Sequence, residues 1–148
     1  MRTSERRRVG LRAGTVRHLE AELRDYHQTK RAIADLERQI AERGMGIAYD
    51  SQRHEQQASP EWGDPTPKRA SALADHRLLQ RMRATTRAIE TVCGRLPQQY
   101  RRLVAVYYFG ERFVPVRQAA ARLGISEATF GRWRSVIINV LAEEMGEW

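Results

Sequence analysis

The sequence predicts an all-α fold, and three observations carry the prediction. Apolar residues recur at spacings of three, four and seven over two long stretches. Proline, glycine and serine stand where such stretches would begin and end. No β pattern and no internal repeat appears anywhere in the 148 residues. That length suits one domain of ordinary size, or a small domain with a long helix.

The opening residues 1–10, "MRTSERRRVG", read as a disordered basic arm that touches phosphate or is simply a loose end. No apolar run follows them, so no signal peptide is expected. From 11 to 43, Leu19, Leu23, Tyr26, Ile33, Leu36 and Ile40 mark an N-terminal helix for packing or oligomerisation. Leu19, Tyr26, Ile33 and Ile40 share one heptad position, while Leu23, Lys30 and Glu37 share its companion. A seam only partly apolar favours a short coiled coil or bundle over a free-standing one. Its partner is either the second long helix or a second chain, which leaves a homodimer through residues 11–43 open. Glu20 and Arg24 are spaced for a surface pair, and Gly44 and Gly46 are expected to end the helix.

Residues 44–67 read as a linker, crowded with Gly, Pro, Ser, Gln and Asp and without a period. Tyr49 and Trp62 are its candidate anchors onto the helices. Residues 68–148 read as a helical DNA-binding domain. A long helix from Lys68 to Arg95 has the stripe Leu78, Met82, Thr85, Ile89 and Val92. Arg77, Arg81, Arg83 and Arg87 lie off that stripe, as a solvated face or a row toward phosphate. Cys93, the single cysteine, reads as a small buried hydrophobe, and no disulfide can form within the chain. Pro97 suits the first turn of the next helix, with Leu103, Val104, Val106, Tyr107 and Tyr108 as its core and Gly110 as its end. Pro115 opens a further helix.

The stretch "AAARLGISEATFGRWR", residues 119–134, carries the functional signal. A helix-turn-helix at 115–145 needs a small residue where its helices cross, and Ala120 beside Ala119 supplies it. The turn needs a residue that tolerates left-handed dihedrals, which is Gly124. Ser126 is a suitable N-cap for the second helix. Ile125, Phe130 and Trp133 make that helix's buried stripe, continued by Ile137, Val140 and Leu141. The outward face is then Glu127, Ala128, Gly131, Arg132 and Ser135, with Thr129 and Arg134 at its edges. Short side chains at its start let such a helix enter a major groove N-terminal end first. Arg132 is the candidate for a bidentate guanine contact. Arg117, Arg122 and Arg134 are candidates for phosphate, as is Ser126 beside the helix N-terminus. An αα-hairpin that binds nothing would use the same crossing, turn and cap.

Charge favours the DNA reading. The net charge is +8, and only Lys30 and Lys68 among the basic residues are lysines. Arginine suits bidentate phosphate and base contacts. Between Arg101 and Arg134 stand seven arginines and two acids, Glu111 and Glu127. His18, His27, His54 and His76 lack metal-ligand spacing, so no metal or other cofactor is expected. No nucleophile motif or phosphate loop occurs, so the chain does not read as an enzyme or as a binder of small-molecule substrates. With no apolar run long enough to span a bilayer, no membrane partner is expected, and the expected location is the cytoplasm of a bacterial host.

Two segments resemble known families. "LPQQYRRLVAVYYFGE" followed by "VRQAAARLGISEATFGRWRSVIINVL" resembles region four of bacterial sigma factors. The whole chain is similar to phage transcriptional regulators of the RinA/ArpU type, on the further strength of "YHQTKRAIADLERQI" and a Ser-Pro-containing linker. That resemblance implies double-stranded DNA as partner and activation of late phage or prophage genes. Gly131 departs from the pattern, because a longer side chain is common at that place. Two alternatives belong to other classes. One is a small terminase-like subunit that recognises DNA for packaging. The other is a module that binds RNA polymerase or a sigma factor, for which the acidic, apolar "LAEEMGEW" end is suited.

Overall fold

The computed structural model describes residues 10–54 and 67–147, with side chains for 10–44 and 67–147. The expected arm (residues 1–9), Trp62 and the side chain of Tyr49 lie outside the described residues. The fold is all-α, as the periodicity predicts. Among the described residues the helices are α1 (Ala13–Arg24), α2 (Tyr26–His54), α3 (Pro67–Arg95), α4 (Gln98–Leu103), α5 (Val116–Leu123) and α6 (Glu127–Met145). A π-helical turn, Val104–Tyr108, follows α4 directly. No helix among the described residues is long and apolar enough to cross a membrane.

The single helix expected over 11–43 is two. Asp25, at φ −86° and ψ 0°, stops α1, and α2 starts at the next residue. Gly44 and Gly46 do not end α2, which continues to His54. Glycine weakens a helix interior by about 1 kcal/mol but does not forbid it. The expected 44–67 linker is therefore helical in its first part.

The chain divides into two compact units, residues 1–26 with 88–148, and residues 27–87. The boundary expected at 68 is thus displaced. The first unit recruits α1 into its core and leaves most of α3 to the second. Leu19 and Leu23 of α1 are buried with Ile89, Val92 and Leu96 of α3, Leu103, Val104, Tyr107, Val114, and Phe130, Ile137 and Leu141 of α6. Leu19, Leu103, Phe130 and Leu141 have no exposed surface at all. Burying side chains of this size removes about 1.5–3 kcal/mol each from water, which is what holds so short a set of helices together. Cys93 is half-buried, and burial pushes its thiol pKa up, with Arg101 opposing and Glu90 adding.

In the second unit, parts of α2 and α3 run antiparallel. Glu37 accepts from Arg83 at 2.6 Å, and Arg43 pairs with Asp75. Later residues on one helix thus meet earlier ones on the other. Both partners of the Glu37–Arg83 pair are nearly half-exposed, so it sets register more than stability. The apolar stripe of α3 is rotated from the expected one. Leu79 and Thr86 are buried, while Leu78 is 46 % exposed. The Thr86 hydroxyl satisfies itself by donating to the Met82 and Arg83 carbonyls. Leu78 and Leu79 are equally apolar neighbours, and periodicity cannot choose between them.

Candidate functional site

The site is built on α5, the turn and α6. Pro115 stands at the N-cap of α5, with extended ψ of 150°, one residue before the first helical one. Pro97 does the same for α4. At the end of α5, Gly124 adopts φ +68° and ψ 31°, the left-handed conformation that turns the chain at no steric cost. The Ile125 N–H then donates to the Ala120 carbonyl at 3.1 Å, and the Gly124 N–H to Ala121. These are the two bonds of a Schellman-type cap. Ala119 and Ala120 are buried, at 0 % and 2 % exposure, where α5 meets the core.

Ser126 caps α6. The Thr129 N–H donates to the Ser126 hydroxyl oxygen at 3.1 Å, and the Ser126 hydroxyl donates to Thr129 Oγ1 at 3.0 Å. Replacing it, Ser126→Ala, is expected to cost about 1 kcal/mol, read as a lowered urea midpoint with an unchanged slope. An unchanged midpoint would mean that the cap contributes nothing to α6.

Phe130 is fully buried, Trp133 and Ile125 are half-buried, and the stripe continues through Ile137, Ile138 and Leu141. The Trp133 ring meets Tyr100 edge-on at 5.5 Å. On the other side of α6, Glu127, Ala128, Gly131, Arg132 and Ser135 are exposed, with Thr129 half-buried at their edge. The Arg132 guanidinium lies back over Thr129, donating to its hydroxyl oxygen at 3.4 Å. The Ser135 hydroxyl donates to the Gly131 carbonyl at 3.0 Å. A Cβ added at Gly131 would meet only open space, so this face has a shallow notch at its middle. Arg117 and Arg122 are exposed on α5.

Arg134 is different. Its Nε donates to Glu20 of α1 at 2.5 Å, and its side chain is only one-third exposed. The expected phosphate contact is corrected accordingly, because a carboxylate of this chain already takes the position that a phosphate oxygen would. The hydrogen bond that Arg134 donates to Glu20 raises the Arg134 pKa against the opposing effect of burial. Glu20 also accepts from the Tyr108 hydroxyl at 2.8 Å. Burial works to raise the Glu20 pKa. The hydrogen bonds from Arg134 and Tyr108, with the charges of Arg134 and Arg24, outweigh it and hold the carboxyl below its ordinary value. Burial and the Glu20 contact push the Tyr108 hydroxyl pKa up, so it stays a donor.

This cluster was not legible in the sequence, where Glu20 looks like the surface partner of Arg24. The fold sends Arg24 instead to Tyr107, donating to its hydroxyl at 3.2 Å with the guanidinium 5.4 Å from the ring centroid. The π-helical turn makes this possible. Phe109 N–H bonds back to Val104 at 3.0 Å, five residues away. The widened turn points both Tyr107 and Tyr108 inward, their rings 4.8 Å apart and edge-to-face. No buried side-chain polar atom among the described residues lacks a partner. The cluster thus fastens α1 to the middle of α6 through Arg134, two residues from Arg132. Comparison of the chain with known protein families, curated proteins and solved structures finds no match.

Proposed function

We propose that this chain is a sequence-specific DNA-binding transcriptional regulator that lays α6 in the major groove. The observation that carries the reading is the division of α6. Phe130, Ile137 and Leu141 are buried on one side, while Glu127, Ala128, Gly131, Arg132 and Ser135 are exposed on the other. A helix held so firmly from behind, with short side chains in front, suits entry into a groove about 12 Å wide. Arg132 is the base-reading residue, and Arg117 and Arg122 are the phosphate contacts of α5. The resemblance to sigma region four and to RinA/ArpU-type regulators supports this reading, and implies activation of late phage or prophage genes.

The test is selection of bound fragments from source DNA with competitor present, followed by Arg132→Ala. One short motif beside a promoter is expected. The variant is expected to lose roughly 10- to 100-fold of its discrimination at one position of that motif. Arg132→Ala with undiminished preference would sink the docking proposed here. Fragments clustered at a packaging gene, with a ring of many subunits by light scattering, would favour the small terminase-like reading instead.

A specific observation favours a second reading, contact with RNA polymerase or a sigma factor. Phe113, in the loop before α5, is 74 % exposed, flanked in sequence by Arg112 and Val114. One side of the ring lies 5.8 Å from the Arg24 guanidinium, and its exposed remainder, beside Arg112, offers a protein partner an apolar and basic contact. Failure to bind DNA at low salt would make this contact the chain's main activity.

A further inference from the structure

We infer that the groove beside Phe113 takes a short acidic segment of a partner protein, with an apolar side chain against the ring and carboxylates on the arginines around it. The inference rests on the reading of Phe113 as a protein contact and adds the chemistry of the partner. The groove opens between the π-helical turn, the loop that follows it, and α5. Val106 of the turn, Phe113 and Val114 of the loop, and Arg122 of α5 line it. None of the described residues that line it belongs to α6, so it is not part of the face that carries Arg132.

Two observations say what covers this groove. The first is the placement of the ring. Val114 is buried in the core and fastens the loop there, while its neighbour Phe113 is left on the outer side. The Arg24 guanidinium borders the ring and helps to hold it in place. A large apolar side chain that is held in place yet wet offers an anchor to an apolar side chain of a partner. The second observation is charge. Arg112 and Arg122 line the groove and Arg24 stands at the ring, against Glu111 alone. All three arginines are exposed. Among the described residues, Arg112 and Arg122 meet no carboxylate of this chain. A guanidinium takes a carboxylate in two parallel hydrogen bonds, so the surplus of positive charge selects an acidic partner. Glu111 opposes such a partner and is outnumbered. A DNA backbone would also satisfy the arginines, but it would leave Phe113 and Val106 without an apolar neighbour. The mixed lining therefore favours a peptide.

The test uses the full chain without DNA, because Arg122 is also the phosphate contact proposed for α5. The probes are two fluorescein-labelled dodecapeptides, one with leucines set among glutamates and one with the same leucines among glutamines. Binding is read by fluorescence anisotropy. The acidic peptide is expected to bind roughly tenfold or more tightly than the neutral one. The double variant Arg112→Ala, Arg122→Ala should lose that preference, and Phe113→Ala should weaken both peptides by about fivefold or more. The control, Arg77→Ala with Arg81→Ala, removes the same charge from exposed positions of the second unit and should bind like the unaltered chain. The substituted residues are exposed, so melting temperatures should be kept. An acidic preference that survives in the Arg112, Arg122 variant would overturn the proposal. So would an equal loss in the control, which would reduce the effect to net charge. A variant that kept the peptide but lost affinity for the selected DNA motif would make the groove a seat for DNA instead. Purified RNA polymerase that needs Phe113 but ignores both arginines would overturn the acidic partner and leave the polymerase reading standing. The expected peptide preference without any binding of polymerase would do the reverse.

Discussion

Truncating Phe130 to alanine is expected to cost the first unit about 3–5 kcal/mol. The ring has no exposed surface and lies in the first turn of α6. It meets Tyr107 edge-to-face, with centroids 5.0 Å apart. It belongs to one core with buried residues of α1, the π-helical turn and α5, so its removal opens a cavity that several elements line. A typical domain holds only 5–15 kcal/mol in all, so the variant should be partly unfolded at 37 °C. Urea denaturation followed by circular dichroism measures the effect. A loss below about 1 kcal/mol would contradict the packing of this core. Loss of DNA binding by Phe130→Ala, by contrast, would report unfolding and not groove contact.

Glu20→Ala is expected to cost about 2–3 kcal/mol. It leaves the buried Tyr108 hydroxyl without its acceptor and Arg134 without its counter-charge. The Arg134 share is the smaller, because its side chain is one-third exposed and water screens it. The pH dependence follows from the lowered pKa of Glu20. A depressed carboxyl stabilises the folded state at any pH above its unfolded value, ordinarily 4.5. That contribution is lost as pH falls through the lower folded value. The difference in stability between the unaltered chain and Glu20→Gln should therefore be constant from pH 6 to 8 and shrink below about pH 4.5. A difference that grows in acid would reverse the assignment. If α6 docks as proposed, Glu20→Gln should also loosen the discrimination assigned to Arg132, because Arg134 lies two residues from it.

The elements of the C-terminal half were legible because their signals are local. Pro115, Gly124 and Ser126 act on their own backbone dihedrals or on the first turn of the helix they precede. Their positions in the structure follow from sequence alone, to within a residue. The exposed face of α6 was legible for the same reason: Phe130, Trp133 and Ile137 define a stripe, and the remaining residues must face away from it.

Other features depended on residues far apart in the chain. Leu19 and Ile33 share one heptad position in the sequence, yet they serve different units, because Asp25 interrupts the helix between them. Periodicity says that a face is buried but carries no information about what buries it. Leu78 and Leu79 could not be told apart for the same reason. Glu20 and Arg134, 114 residues apart, look like two solvated charges in the sequence. Only the packing of α1 against α6, with the π-helical turn bringing in Tyr108, removes them from most of the water and makes each the other's partner. Local chemistry thus set the starts of α4, α5 and α6, the turn and the outward face of α6. Long-range burial set the unit boundaries, the core partners and which arginines stay exposed, since desolvation depends on every element that packs around a group.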